Sequence, residues 1–147
     1  MREILSRGKR THDGEWVEGY YVRLYDSKGH ETHRIYPGYA ETDCGDYYPD
    51  WFEVDPTTVG RYTDLTDKNG KKIFEGDIGR YRQTDGAKRN GVPILCTGKV
   101  VYNTKTASYA VDSRDDAGCK YFDYFPIKDF EVIGNIHDNP ELMKKED

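Results

Sequence analysis

The chain has 147 residues, a net charge of −5 and a sequence pI near 5.4. That length suits one domain, or two small β-modules, and needs no metal or disulfide staple. The acidic balance argues against generic tracking of duplex phosphates, and the 14% aromatic content, with 13 Tyr, against a disordered chain.

In chain order, Arg2–Leu5 reads as a short strand ahead of an Asp13-Gly14 turn. Trp16–Tyr25 is rich in aromatic and β-branched residues without a helical stripe, which predicts a strand. Asp26-Ser27-Lys28-Gly29 turns it into a partner strand, His30–Tyr36. Pro37–Trp51 is a loop of unusual composition, with Tyr39, Tyr47, Tyr48 and Trp51 among Gly, Asp, Cys and Pro. Such rings either cover a core edge or form a partner surface.

After Pro56, the run Thr58–Ile78 holds Asn69-Gly70, a dipeptide that predicts a type I′ hairpin turn. Gly76-Asp77 predicts a tight bend before a strand at 78–82. Gln83–Pro93 reads as a polar loop with a basic tip, Lys88-Arg89. Strands follow at 94–96, 98–102, 108–111, 121–125 and 130–136, with a polar loop over 112–118. Asn139 as cap, Pro140 at the first helical position and Glu141 beside it predict a short C-terminal helix, docked through Leu142 and Met143. The expected fold is mostly β, a small SH3-like or β-barrel-type architecture of short antiparallel strands and hairpins, with that helix at the end. It forms one domain, 1–147, whose composition allows two β-subdomains at 1–56 and 57–147.

Three blocks then resemble the YopX family of phage and prophage proteins. They are Met1–Ile4 with Arg7 and Gly14–Tyr20; Val54–Thr63 continuing through Asp67–Gly70 to Ile73–Ile78; and Phe130–Leu142. The chain departs from the family pattern at Ser6 and Lys9, where aromatic residues are usual. It departs again at Asp64, usually Gly, and at Gly79, usually aliphatic. The resemblance implies a mostly-β, oligomeric protein in a phage or prophage setting in a bacterial cell, and the charged amino terminus makes the cytoplasm the expected location. It supplies no activity to carry over.

The residues themselves offer few chemical constellations. His30 and His33 sit three apart, which on a strand puts them on opposite faces, and Cys44 or His12 would join them only through loop closure. No metal and no cofactor are expected. Cys44, Cys96 and Cys119 form no CxxC pair, so free thiols are expected. The charged amino terminus lacks a signal-peptide core, and no run approaches the ~18 apolar residues of a membrane span. Glu75 and Asp77 could serve a hydrolytic reaction, but Asp67 and Asp77 are better explained as turn-holding acceptors. Asp67, Asn69, Gly70, Gly76, Asp77, Asn139 and Pro140 thus read as the scaffold's structural motif.

The leading expectation is a non-enzymatic, self-assembling module that binds a host or phage macromolecule. Its binding residues would be Tyr39, Tyr47, Tyr48, Trp51, Arg61, Tyr62 and Arg80. The alternative is a barrel that stacks single-stranded nucleic acid on Tyr20, Tyr62 or Tyr81 beside Arg61, Arg80 and Arg82.

Overall fold

The computed structural model describes residues 4–37, 51–83, 88–114 and 129–144. The chain divides into two compact units, Met1–Tyr62 and Thr63–Asp147.

The first unit contains β1 (Ser6–Lys9), β2 (Trp16–Tyr25), β3 (Glu31–Tyr36), β4 (Phe52–Glu53), a 3₁₀ turn at Pro56–Thr58, and the start of β5 (Gly60–Thr66). The opening strand among the described residues is Ser6–Lys9; of the expected Arg2–Leu5, Ile4 and Leu5 precede it and the rest lies outside the described residues. The long β2 serves two neighbours: its first half pairs with β1 (Lys9 opposite Trp16) and its second half with β3 (Tyr20 opposite Tyr36). β3 pairs with β4, and an isolated bridge between Arg10 and Val54 ties the chain after β4 back to the end of β1. The N–H groups of Thr11 and Asp55 donate to Glu53 O and Lys9 O across that bridge. The sheet therefore curls, with Ile35 and Val54 buried inside. Gly8 lies against them, and a Cβ there would meet Ile35, Val54 and Val59 at 3.2–3.3 Å. Residues 57–62 stay with this unit because Lys9 N–H donates to Thr58 Oγ1 and β5 pairs with β1 at Arg61 and Gly60.

The second unit contains the end of β5, β6 (Lys72–Phe74), β7 (Asp77–Arg82), β8 (Lys88–Arg89), β9 (Val92–Pro93), β10 (Leu95–Asn103), β11 (Ser108–Ser113), β12 (Glu131–Asn135) and a 3₁₀ turn at Pro140–Met143. Four strands form an antiparallel sheet in the order β11-β10-β7-β12, and β8 and β9 form a separate ribbon. The core is Ile73, Tyr81, Cys96, Val100, Val111 and Phe130. Phe130 occupies the space over Gly79, where a Cβ would stand 2.0 Å from its ring. An aliphatic side chain is thus excluded at Gly79 by the ring that replaces it.

Three expectations need correction. The antiparallel, mostly-β class holds, but no closed barrel forms among the described residues: the bridge at Arg10 and Val54 is single, and the four-stranded sheet ends at β11 and β12. The C-terminal helix is one turn of 3₁₀. Asn139 does not cap it; its Oδ1 accepts instead from Asn135 N–H at 3.3 Å, turning back towards β12. Cys96 is disulfide-bonded rather than free, so its Sγ, 3.5 Å from Gln83 Oε1, is a contact and not a donor.

Turn chemistry also differs in type. Asp67 and Lys71 close a three-residue loop in which Gly70 N–H donates to Asp67 O and Gly70 has φ +80°. That is a type I turn with a glycine bulge, not type I′. Asp67 Oδ1 accepts from Asn69 and Lys71 amides, and its Oδ2 from Val132 N–H of β12 at 3.0 Å. Asp26 repeats the device: Gly29 donates to its carbonyl, and Oδ1 takes the Lys28 and His30 amides.

Candidate functional site

Residues opposite each other across strands share a face, and alternate residues along a strand return to it. The register of the first unit therefore places Arg7, Lys9, Trp16, Tyr20, Tyr36 and Arg34 on one face, opposite the buried Ile35 and Val54. Trp51, one residue before β4, joins them through Arg34. Arg7 and Lys9 both lie over the Trp16 ring, 4.7 and 5.4 Å from its centroid, and Arg34 lies 3.8 Å from that of Trp51. Arg34 Nε is out of water with no hydrogen-bond acceptor among the described residues, and the guanidinium lies against the Trp51 ring instead. Tyr20 is 54% exposed. Val22 and Leu24, on the same face, are half-buried.

The opposite face ends in a polar chain. Tyr21 hydroxyl meets His33 Nδ1 at 2.5 Å, His33 Nε2 meets Glu31 at 2.9 Å, and Arg23 Nε holds the same Glu31 oxygen at 2.5 Å. Burial pushes the Tyr21 hydroxyl above its usual pKa, with Glu31 adding to the rise and Arg23 opposing it. Both nitrogens of His33 are thus already engaged within the protein, which suits a structural link better than proton transfer to a ligand. His30 is occupied elsewhere, by Asp26 at 3.0 Å. Beside this chain lies a cleft of about 440 Å³, lined among others by Lys9, Arg10, Glu31, His33, Glu53 and Asp55. Arg10 is held by Asp13, whose carboxyl sits below its usual range. Desolvation raises it, but the Arg10 bond, the Glu15 amide and His12 prevail.

The residues singled out from the sequence are scattered. Tyr39, Tyr47, Tyr48 and Cys44 lie outside the described residues. Arg61 is exposed opposite Ser6, and the half-buried Tyr62 donates its N–H to Leu5 O. Arg80 and Arg82 are exposed on β7, but Tyr81 between them is 1% exposed, so it cannot stack a base. Burial pushes its hydroxyl up to about 12, with Asp112 contributing. Asp77 is buried and accepts from Phe74 N–H at 2.8 Å; neither it nor Glu75 lines the cleft. Gly76 has φ +91° at the bend, and Pro140 opens the 3₁₀ turn. The cation–ring pairs of β1 and β3 were missed, although Arg7-x-Lys9 and Trp16-x-x-x-Tyr20 carry the period-two spacing that could have found them.

A family model described as YopX protein matches residues 7–144. Among solved structures, the chain is similar to the crystal structure of protein EF1440 from Enterococcus faecalis. The TM-score is 0.55 with 24% identity, covering 98% of this chain and 100% of that one, a likeness of fold alone. No curated protein matches. No helix among the described residues is long and apolar enough to cross a membrane. With nearly its whole length matched by the family model, the chain belongs to the YopX family.

Proposed function

We propose that the chain is a non-enzymatic binding module that self-assembles through the aromatic–cation face of its first unit. Its setting would be the cytoplasm of a bacterial host, where the assembly engages a host or phage macromolecule. The observation that carries this reading is the composition of that face: Trp16 and Trp51 capped by Arg7, Lys9 and Arg34, beside the exposed Tyr20. Trp, Tyr and Arg are the residue types that dominate the centres of protein interfaces. Light scattering on a size-exclusion column should give an oligomer that Tyr20→Asp dissociates, with the dimer constant weakened about 30-fold or more, the value for an interface hot spot. A strict monomer across the micromolar range would sink the reading.

The stacked cations favour a second reading, single-stranded nucleic acid laid across the same rings. Salt titration of a labelled oligonucleotide separates the two. Binding that disappears with Trp51→Ala while the oligomer persists would favour the nucleic acid.

A further inference from the structure

The second unit carries a patch that the aromatic face does not explain. The twenty residues 80–99 hold five basic residues, Arg80, Arg82, Lys88, Arg89 and Lys99, against one acidic, Asp85, in a chain of net charge −5. Within them β8 and β9 form a two-stranded ribbon paired with neither larger sheet. Lys88 faces Pro93 across it. The turn at its tip is Asn90-Gly91, with φ +53° and +80°, the type I′ geometry that twists with its strands. Val92 is 64% exposed beside the tip, and Leu95, 57% exposed, lies opposite Arg82 at the start of β10.

Arg80 and Arg82 share the face of β7 opposite the buried Tyr81. Neither they nor Lys88 has an ion pair among the described residues. The carboxylate closest in register is Glu131, opposite Arg80, and it is held by Lys68 at 3.2 Å. Three cations without an ion pair among the described residues, beside a ribbon that carries the exposed Val92, are the inverse of the chain's overall charge. At ordinary ionic strength the remainder of the molecule is screened beyond about 10 Å, so the patch presents its own sign to a ligand.

We infer that this ribbon and the Arg80/Arg82 face form a contact for duplex nucleic acid, with the cations on phosphates and the ribbon in a groove. A two-stranded ribbon has the width of the major groove, and exposed aliphatic groups are the kind that enter between or against bases. The inference does not depend on self-assembly, nor on stacking by the first unit.

The test is fluorescence anisotropy of the full chain with a labelled duplex of about two helical turns. With three phosphate contacts, affinity should fall about 40-fold between about 50 and 200 mM salt. Removing each of Arg80, Arg82 and Lys88 as Gln should lower the salt slope by about one, and the triple variant should lose binding. These side chains are exposed, so circular dichroism should report an unchanged fold. The control Lys71→Gln/Lys105→Gln removes two exposed cations elsewhere and should leave binding intact. No binding at about 50 mM salt, equal losses in patch and control variants, or tighter binding of the single strand than of the duplex would each overturn the inference.

Discussion

Replacing Asp67 and Asp26 separately by Ala tests whether burial, rather than turn type, sets the worth of an aspartate in this fold. Each opens a three-residue loop of the same kind and accepts, through Oδ1, the amides two and four residues further on. They differ in the other oxygen. Asp67 is 6% exposed and takes Val132 N–H from β12, sixty-five residues away, whereas Asp26 Oδ2 meets the exposed His30 ring. A charge-assisted bond of the Val132 kind is worth about 1.5–3 kcal/mol, and each turn amide about 0.5–1. Asp67→Ala should therefore cost about 3 kcal/mol, or about 6–12 °C for a chain of this length. Asp26→Ala should cost markedly less, because water replaces what it loses.

Both Trp residues lie in the first unit, so far-UV circular dichroism and amide exchange at Val132 are the proper readouts for Asp67. Burial raises the Asp67 carboxyl, but the Val132, Lys71 and Asn69 amides and the Lys71 charge bring it below the ordinary 3.8. A depressed folded-state value means the stabilisation is fully present above pH 3.8 and fades as pH falls through the folded value. The gap between wild type and Asp67→Ala should therefore close in acid. Equal losses from the two variants, or a gap that persists at low pH, would refute the reasoning.

Gly79→Ala forces a methyl into the Phe130 ring and should cost about 2–3 kcal/mol in urea unfolding; a neutral result would mean Phe130 is not seated as described. Gly91→Ala places a side chain at φ +80° and should loosen the β8–β9 ribbon by about 1 kcal/mol, seen as faster exchange of its amides. Tyr81 has a raised folded value, so its contribution is complete below pH 10 and is lost as pH rises towards about 12. Tyr81→Phe should flatten alkaline unfolding over that window, measured against wild type.

Turns were the most legible part of the chain, because one or two residues decide them. Asp26-x-x-Gly29 and Gly76-Asp77 bend where the sequence says they should. The turn type was harder to read. Asn69-Gly70 and Asn90-Gly91 are the same dipeptide, yet only the second adopts positive φ at both positions. At the first, Asp67 precedes the pair and captures the Asn69 and Lys71 amides, which holds the loop one residue longer. A dipeptide signal is outcompeted when a carboxylate stands two residues upstream. At Gln83–Pro93 polarity reads as a loop, yet Asn90-Gly91 carries a turn signal and closes the β8–β9 ribbon there. The C-terminal helix failed for a related reason: Asn139 has a closer acceptor role towards Asn135 than a capping one.

The candidate surfaces were less legible because they are products of register. Arg7, Trp16 and Arg34 are dispersed over twenty-eight positions, and only the pairings Lys9–Trp16 and Val22–Arg34 set them on one face. Net charge hid the second surface in the same way. A total of −5 describes the sum, while Arg80, Arg82 and Lys88 have no ion pair among the described residues, where Glu131, opposite Arg80, is held by Lys68. Alternation puts Tyr81 into the core and, by the same geometry, both arginines into solvent. The residue that looked like a stacking platform is what fixes the two cations in place. The contact inferred on this strand would therefore rest on charge and groove shape rather than on stacking.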